Sequence, residues 1–212
     1  MERIVFPKNP ELAAPMAAYM KHHFIFAGVK KPERALLTKE LLKDSKNWSF
    51  QTLQSEIFWY YNQEEREYHY LAIELFVKNV KKMTIDELAS FLSLVAQHQW
   101  WDSVDSWRKG FGDWVKNHPE QLTVVYAWFY QHEDFWFRRL SIILQLQQKV
   151  ATDTQLLKQA ILFDQETPEF FIQKAIGWSL REYSKTNPEW VSDFLVHHQL
   201  SKLAVREASK YL

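Results

Sequence analysis

Two tryptophans and two aspartates stand together in the stretch WWDSVD, residues 100–105. On a helix, Trp101 and Asp105 are four positions apart and share a face, and Asp102 is three positions from Asp105. A flat indole beside a carboxylate suits a ligand that is apolar on one side and becomes cationic during a reaction. The alternative is structural, with Asp102 as a helix cap and the tryptophans in the core.

Two further clusters combine tryptophan with arginine, FWFRR at 135–139 and GWSLR at 177–181. Trp178 and Arg181 are three positions apart and therefore neighbours on a helical face, while Gly177 permits the close approach of a backbone or a ligand. An arginine beside an aromatic ring can also cover the edge of a core with its apolar stem. The three clusters together favour one aromatic groove that is open to water.

Several common kinds of catalytic site are excluded by the sequence. It contains no glycine-rich phosphate loop, no HExxH and no GxSxG. The absence of cysteine excludes disulfides and thiol catalysis. The histidine pairs at 22–23 and 197–198 point about 100° apart on a helix, which does not favour a metal site. The sequence therefore predicts neither a metal nor a cofactor.

The elements that must position these clusters are predicted to be helices. Glycine is scarce, and apolar residues recur at three- and four-residue spacing. Proline tolerates the first helical position, and a following carboxylate favours the positive end of the helix dipole. Such Pro-Glu pairs begin at five positions: Pro10, Pro32, Pro119, Pro168 and Pro188. We predict an all-α chain of roughly twelve helices, paired as a stacked solenoid in preference to a globular bundle.

The charge of the chain does not decide whether it binds nucleic acid, whereas its hydropathy argues against a membrane partner. Lys+Arg and Asp+Glu number 26 each, so the net charge does not indicate a nucleic-acid partner. Residues 16–47 hold seven basic and three acidic side chains, which form either a patch for a phosphate backbone or a solvated face. No linker divides the chain, so one domain over 1–212 is expected. No apolar run spans a bilayer and no signal peptide is evident, so we expect a cytoplasmic protein without a membrane partner.

Nearly the whole chain resembles the AlkD-type DNA alkylation repair glycosylases, which are built of HEAT-like helical repeats. The matching stretches are MAAYMKHHF from Met16, KPER from Lys31, WWDSVD from Trp100, FWFRR from Phe135, EFFIQKAIGWSLREYSKTNP from Glu169, and REASKYL at the C-terminus. The resemblance implies a right-handed, C-shaped α-solenoid of HEAT-like helix pairs with a concave groove for double-stranded DNA.

The resemblance also implies an activity and the residues that carry it. The expected reaction is monofunctional hydrolysis of the N-glycosidic bond of cationic N3- and N7-alkylated purines in duplex DNA, without base flipping, by a monomeric bacterial enzyme. Catalysis is expected from Asp105 and Trp101, but not from Asp102. The DNA contacts that it implies are Tyr19, Arg139 and Trp178. The basic segment 16–47 and the GWSLR cluster add Arg34 and Arg181 as expected DNA contacts.

Some positions depart from the family pattern and keep two alternatives open. Ala35 stands where many relatives carry a second arginine, and the segment before Met16 is short. Both features, with zero net charge, predict weaker binding to DNA. The alternatives are a non-excising protein that binds distorted or branched DNA, and a scaffold for protein partners. The pairing of Trp101 with Asp105 favours the enzyme, because a scaffold has no need of it.

Overall fold

The computed structural model describes residues 3–212, and thirteen α-helices account for most of that range. The helices are α1 (Pro10–Tyr19), α2 (Lys31–Asp44), α3 (Phe50–Tyr61), α4 (Arg66–Asn79), α5 (Ile85–Ala89), α6 (Leu92–Val95), α7 (Trp101–Asn117), α8 (Leu122–Ala127), α9 (Phe135–Ile143), α10 (Thr154–Asp164), α11 (Phe170–Ser184), α12 (Pro188–His197) and α13 (Lys202–Ala208). Within residues 3–212, one isolated bridge between Ile25 and Glu65 is the only strand-like pairing. The prediction of an all-α chain is confirmed.

Proline marks the start of three of these helices, as the Pro-Glu pairs predict. It occupies the first or second position of α1, α2 and α12. Asn9 and Asn187 cap α1 and α12 through their side-chain oxygens. Pro168 instead lies ahead of α11, because the side chain of Glu169 caps that helix by accepting the N–H of Phe171 at 3.2 Å. No helix within residues 3–212 combines the length and the apolar character that a membrane crossing requires.

The chain packs as two compact units, Met1–Gln97 with α1 to α6 and His98–Leu212 with α7 to α13. In the first unit, the buried carboxylate of Glu67 accepts the backbone N–H groups of Ala27, Gly28 and Val29 at 2.9, 2.9 and 3.0 Å. Gly28 has a φ of 98°, and a Cβ there would lie 2.1 Å from the carbonyl oxygen of Asn9. These contacts fix the loop before α2. The expectation of one domain over 1–212 stays a prediction.

In the second unit, α7 is a long amphipathic helix. Its buried face carries Trp107, Phe111 and Trp114 and packs against α8 and α9. Burying three large aromatic side chains contributes several kilocalories per mole of apolar transfer free energy, at about 25 cal/mol per Å². This core holds α7 in place, so that a second stripe on the helix, with Trp101 and Asp105, can serve a site.

The second unit is completed by α11, which packs against α9, α12 and α13. Gly177 lets α13 approach closely, because a Cβ at this position would lie 2.9 Å from the carbonyl oxygen of Ala204 and 2.5 Å from the Cβ of Glu207. The close approach expected at Gly177 is therefore to the backbone of α13. As a result, Glu207 is carried against the face of α11 that bears Trp178 and Arg181.

Candidate active site

The start of α7 determines where the two tryptophans point. Trp100 is extended, with φ −162° and ψ 165°, and precedes the first helical residue. The hydroxyl of Ser103 accepts the N–H of Trp100 at 3.3 Å and lies 3.2 Å from the carbonyl oxygen of His98. Asp102 lies inside the first turn, where a carboxylate favours the positive end of the helix dipole. The cap position is thus Trp100, and the interpretation of Asp102 as the cap is wrong.

The two indoles have different surroundings. The ring of Trp100 packs edge-on against Phe171, with centroids 5.1 Å apart, and 5.9 Å from the ring of Trp136. Trp101 is half-buried and lines a surface pocket. Trp100 therefore belongs to an aromatic cluster that includes Phe171 of the pocket lining, and Trp101 lines the pocket itself.

Asp105 and Arg139 form a two-pronged ion pair between α7 and α9. Nε and Nη2 of Arg139 donate to the two carboxylate oxygens of Asp105, each at 2.9 Å. Nη1 donates to the carbonyl oxygen of Phe171 on α11. The Asp105 side chain is 20% exposed and that of Arg139 is 5% exposed. Such charge-assisted, paired bonds hold the carboxylate in one orientation while leaving part of it accessible.

The accessible edge of Asp105 opens into a solvent-facing pocket of about 320 Å³ within the second unit. Five residues predicted from the sequence line it: Trp101, Asp105, Arg139, Trp178 and Arg181. The lining is completed by Phe170, Phe171, Lys174 and Glu207. Helices α7, α9 and α11 therefore bring together all the predicted site residues of the second unit.

Tyr19 and Arg34 lie in the first unit, Met1–Gln97. Tyr19 is the last residue of α1 and is largely exposed. Arg34 sits on the buried face of α2, where its side chain is 7% exposed, donates to Glu74 at 3.0 Å and lies 4.6 Å from the ring centre of Tyr70. The guanidinium is therefore held within the unit by Glu74 and Tyr70. A direct DNA contact at Arg34 stays a prediction.

Arg108 is a charged neighbour of Asp105 that the sequence reasoning missed. It follows Asp105 by three positions and so lies on the same stripe of α7 as Trp101. Its Nε is buried and has no hydrogen-bond partner among residues 3–212. Burial lowers the pKa of Arg108, and the negative charges of Asp105 and Asp113 oppose that shift. The three-residue spacing from Asp105 was the signal that could have found it.

Glu207 is a second missed residue, at the opposite side of the pocket. Its carboxylate accepts from Lys174 at 3.1 Å, from Arg181 at 2.7 Å and from Lys210 at 2.9 Å. Hydrogen bonds from Lys210 and then Lys174 lower the pKa of Glu207 to about 2. The spacing of Lys174, Trp178 and Arg181 along one face of α11 could have indicated the lysine, whereas nothing in the sequence links Glu207 to it.

Comparison with known proteins places the chain in a family. The family model described as DNA alkylation repair enzyme matches residues 6–212. The chain belongs to the DNA alkylation repair enzyme family. A solved structure described as a predicted DNA alkylation repair enzyme from Enterococcus faecalis is 53% identical, with 99% of each chain covered and a TM-score of 0.97. No curated protein matches the chain.

Two more distant structures share the fold. AlkD2 from Streptococcus mutans is 20% identical with a TM-score of 0.67, and the match covers 94% of this chain and 99% of that one. The protein smu.31 from Streptococcus mutans UA159 is 18% identical with a TM-score of 0.66, covering 95% and 98%. The resemblance to AlkD-type enzymes, and the helical fold that it implied, are confirmed.

For a DNA alkylation repair enzyme, the pocket offers a defined chemistry. It combines an oriented carboxylate with the flat faces of indoles and with cations at its edge. A carboxylate and π-faces stabilise positive charge, and arginine and lysine attract phosphate. No group of three or more side chains suited to a metal ion occurs within the part of the chain that the structure describes.

Proposed function

We propose that this DNA alkylation repair enzyme is a monofunctional glycosylase that hydrolyses the N-glycosidic bond of cationic N3- and N7-alkylated purines in duplex DNA. The observation that carries the proposal is the Asp105 carboxylate, held by Arg139 and open to the pocket that Trp101 and Trp178 line. An oriented anion between aromatic faces suits a reaction centre that becomes positively charged.

The proposed reaction needs little besides electrostatic stabilisation and an activated water. Alkylation at N3 or N7 makes the purine cationic, so it departs as a neutral base with the electron pair of the C1′–N bond. Positive charge then develops on the deoxyribose as an oxocarbenium ion. Asp105 stabilises that charge and accepts the proton of the water that attacks C1′. The products are the free base and an abasic site.

The open form of the pocket supports excision without base flipping. Enzymes that flip a base enclose it in a snug pocket and stack aromatic groups on it. Here the pocket faces solvent, and the indoles of Trp101 and Trp178 lie at its surface. We infer that these rings contact the sugar and backbone of the lesion while the base stays within the duplex.

Arg139 has a different role in this proposal from the direct DNA contact expected from the resemblance. Three of the five N–H donors that a guanidinium carries are engaged, two by Asp105 and one by the carbonyl oxygen of Phe171. Its chief role is to hold Asp105 in place. Trp178 and Arg181 remain proposed DNA contacts of the second unit, and Tyr19 of the first.

The test is release of base from duplex oligonucleotides that carry 7-methylguanine or 3-methyladenine, measured by mass spectrometry beside an unmodified duplex. We expect release by the native protein and an abasic strand that stays intact until treated with alkali. Asp105→Asn should lower the single-turnover rate by about 100-fold or more, the usual cost of losing one preorganised electrostatic group. Asp102→Asn is the matched control and should remain active.

Each outcome has a definite meaning. If the native protein releases no base, the glycosylase proposal is contradicted. Binding of methylated duplex without release of base supports the non-excising alternative. Full activity of Asp105→Asn removes the mechanism but not the activity. A Schiff-base complex trapped with borohydride would contradict the monofunctional assignment. None is expected, because the ammonium of Lys174, the lysine in the pocket lining, is held by Glu207.

A further inference from the structure

Three cations from two segments of the chain converge on the carboxylate of Glu207. Lys174 donates to one oxygen at 3.1 Å, and Arg181 and Lys210 donate to the other at 2.7 and 2.9 Å. Lys174 and Arg181 lie seven positions apart on α11, whereas Lys210 follows α13. The cluster is therefore assembled by tertiary packing, and it carries three positive charges against one negative charge.

The central carboxylate and the surrounding cations differ in exposure. The Glu207 side chain is 7% exposed, whereas the three cations remain partly open to water. Glu207 is pressed against α11 at Gly177, where no side chain intervenes. Its pKa of about 2 leaves the carboxylate ionised at neutral pH. The buried anion thus holds three cations that are themselves only partly covered.

We propose that Lys174, Arg181 and Lys210 form a binding site for a backbone phosphate of DNA, and that Glu207 is the positioning residue that holds them. One donor of each cation is used by Glu207, which leaves further N–H donors on every one of them for phosphate oxygens. Cations that are already ordered lose less side-chain entropy on binding than free surface lysines do. The inference rests on the proposed function in taking DNA as the ligand.

The position of the cluster gives it a task in the reaction. Lys174, Arg181 and Glu207 line the same pocket as Asp105 and Trp101. A phosphate bound there would fix one strand beside the carboxylate, so that the sugar of the lesion is presented to Asp105. The cluster acts on binding and not on bond cleavage. We therefore expect its loss to raise KM for excision and to leave kcat nearly unchanged.

The first experiment measures binding of unmodified duplex by fluorescence anisotropy across a range of NaCl concentrations. Lys174→Gln and Lys210→Gln should each make the slope of log K against log salt shallower by about 0.9, the value for one lost phosphate contact. Arg206→Gln is the matched control, because Arg206 is an exposed cation on α13 next to Glu207 in sequence. It should leave the slope unchanged. Equal changes in all three variants would overturn the site.

The second experiment measures DNA binding by Glu207→Gln, for which two roles of Glu207 predict opposite changes in affinity. If Glu207 only offsets positive charge, its removal strengthens DNA binding. If it positions the cations, binding weakens by about threefold or more despite the added net charge, because at least one long side chain must be ordered anew. Tighter binding by a folded Glu207→Gln protein rejects the positioning role. Far-UV circular dichroism checks folding, and the two lysine variants test the phosphate site independently of that check.

Failure of the glycosylase proposal and failure of this inference are separable. Binding of unmodified duplex requires no excision. If the native protein releases no base but Lys174→Gln makes the slope of log K against log salt shallower, the phosphate site stands and the glycosylase proposal falls. A protein that excises methylated purines with unchanged KM in both lysine variants retains the glycosylase and loses the site.

Discussion

Replacing Asp105 should lower the stability as well as the activity of the protein, because the buried guanidinium of Arg139 loses its carboxylate partner. The Arg139 side chain is 5% exposed and would lose two charge-assisted hydrogen bonds of 2.9 Å. Breaking a buried ion pair by removing one partner costs about 3–5 kcal/mol. Asp105 is 20% exposed, so water reaches the vacated site and reduces the cost. We expect about 2–3 kcal/mol for Asp105→Ala and less for Asp105→Asn, which keeps one acceptor oxygen.

The assay is urea unfolding, followed together by tryptophan fluorescence and far-UV circular dichroism, with excision measured at a temperature where every variant is folded. Arg139→Met combined with Asp105→Ala removes both charges. The double variant should recover much of the stability that Asp105→Ala loses, because no unpaired charge stays buried. A loss in Asp105→Ala below about 0.5 kcal/mol, or strictly additive effects in the double variant, would refute the reasoning.

Four further predictions concern stability. Gly177→Ala should cost about 1–3 kcal/mol and weaken DNA binding, because its Cβ would lie 2.5 Å from that of Glu207; an unchanged thermal midpoint contradicts this. Glu67→Gln should cost about 2–4 kcal/mol in urea unfolding, because a carboxylate that accepts three backbone N–H groups is lost; a neutral result counts against it. Arg108→Met should raise the free energy of unfolding by up to about 1 kcal/mol, because the buried Nε of Arg108 has no hydrogen-bond partner among residues 3–212. Arg138→Met should instead lower it, because Nε and Nη1 of Arg138 donate to Asp164 and to two backbone carbonyl oxygens; the reverse order is the opposing result. Because the pKa of Glu207 is lowered from 4.5 to about 2, its contribution to the stability of the fold is present above pH 4.5 and is lost as the pH falls towards 2. Glu207→Gln should therefore make the urea midpoint depend less on pH between 4.5 and 2, and an unaltered pH dependence is the contrary outcome.

Local pattern predicted the parts of the site that lie on one helix. Trp101 and Asp105 share a face of α7, and Trp178 and Arg181 share a face of α11, as their spacing indicated. Helix starts at Pro10, Pro32 and Pro188 followed from the chemistry of the first turn. These features depend on contacts within four residues, which sequence spacing describes directly.

Contacts between residues far apart in the sequence could not be predicted from the spacing of residues along a helix. Asp105 and Arg139 are 34 positions apart, and Lys174 meets Glu207 across 33 positions. Each pair exists only because α7, α9, α11 and α13 pack together. Arg34 illustrates the same point: α2 is rich in charge on every side, so the sequence did not reveal that its buried face includes an arginine paired with Glu74.

The neutral net charge of the chain is a poor guide to its partner, because the charges are unevenly placed. Three basic and two acidic side chains line the pocket, a net charge of +1, and Lys210 adds another positive charge beside Glu207. The field at the site therefore attracts the phosphate backbone, whereas Asp105 is the single carboxylate aimed at the reaction centre from α7. In the proposed reaction, binding of DNA is driven by the cations at the rim, and only a purine that carries positive charge gains from the carboxylate. Selectivity for alkylated bases then arises from the leaving group and Asp105 together, with no need for a pocket that encloses the base.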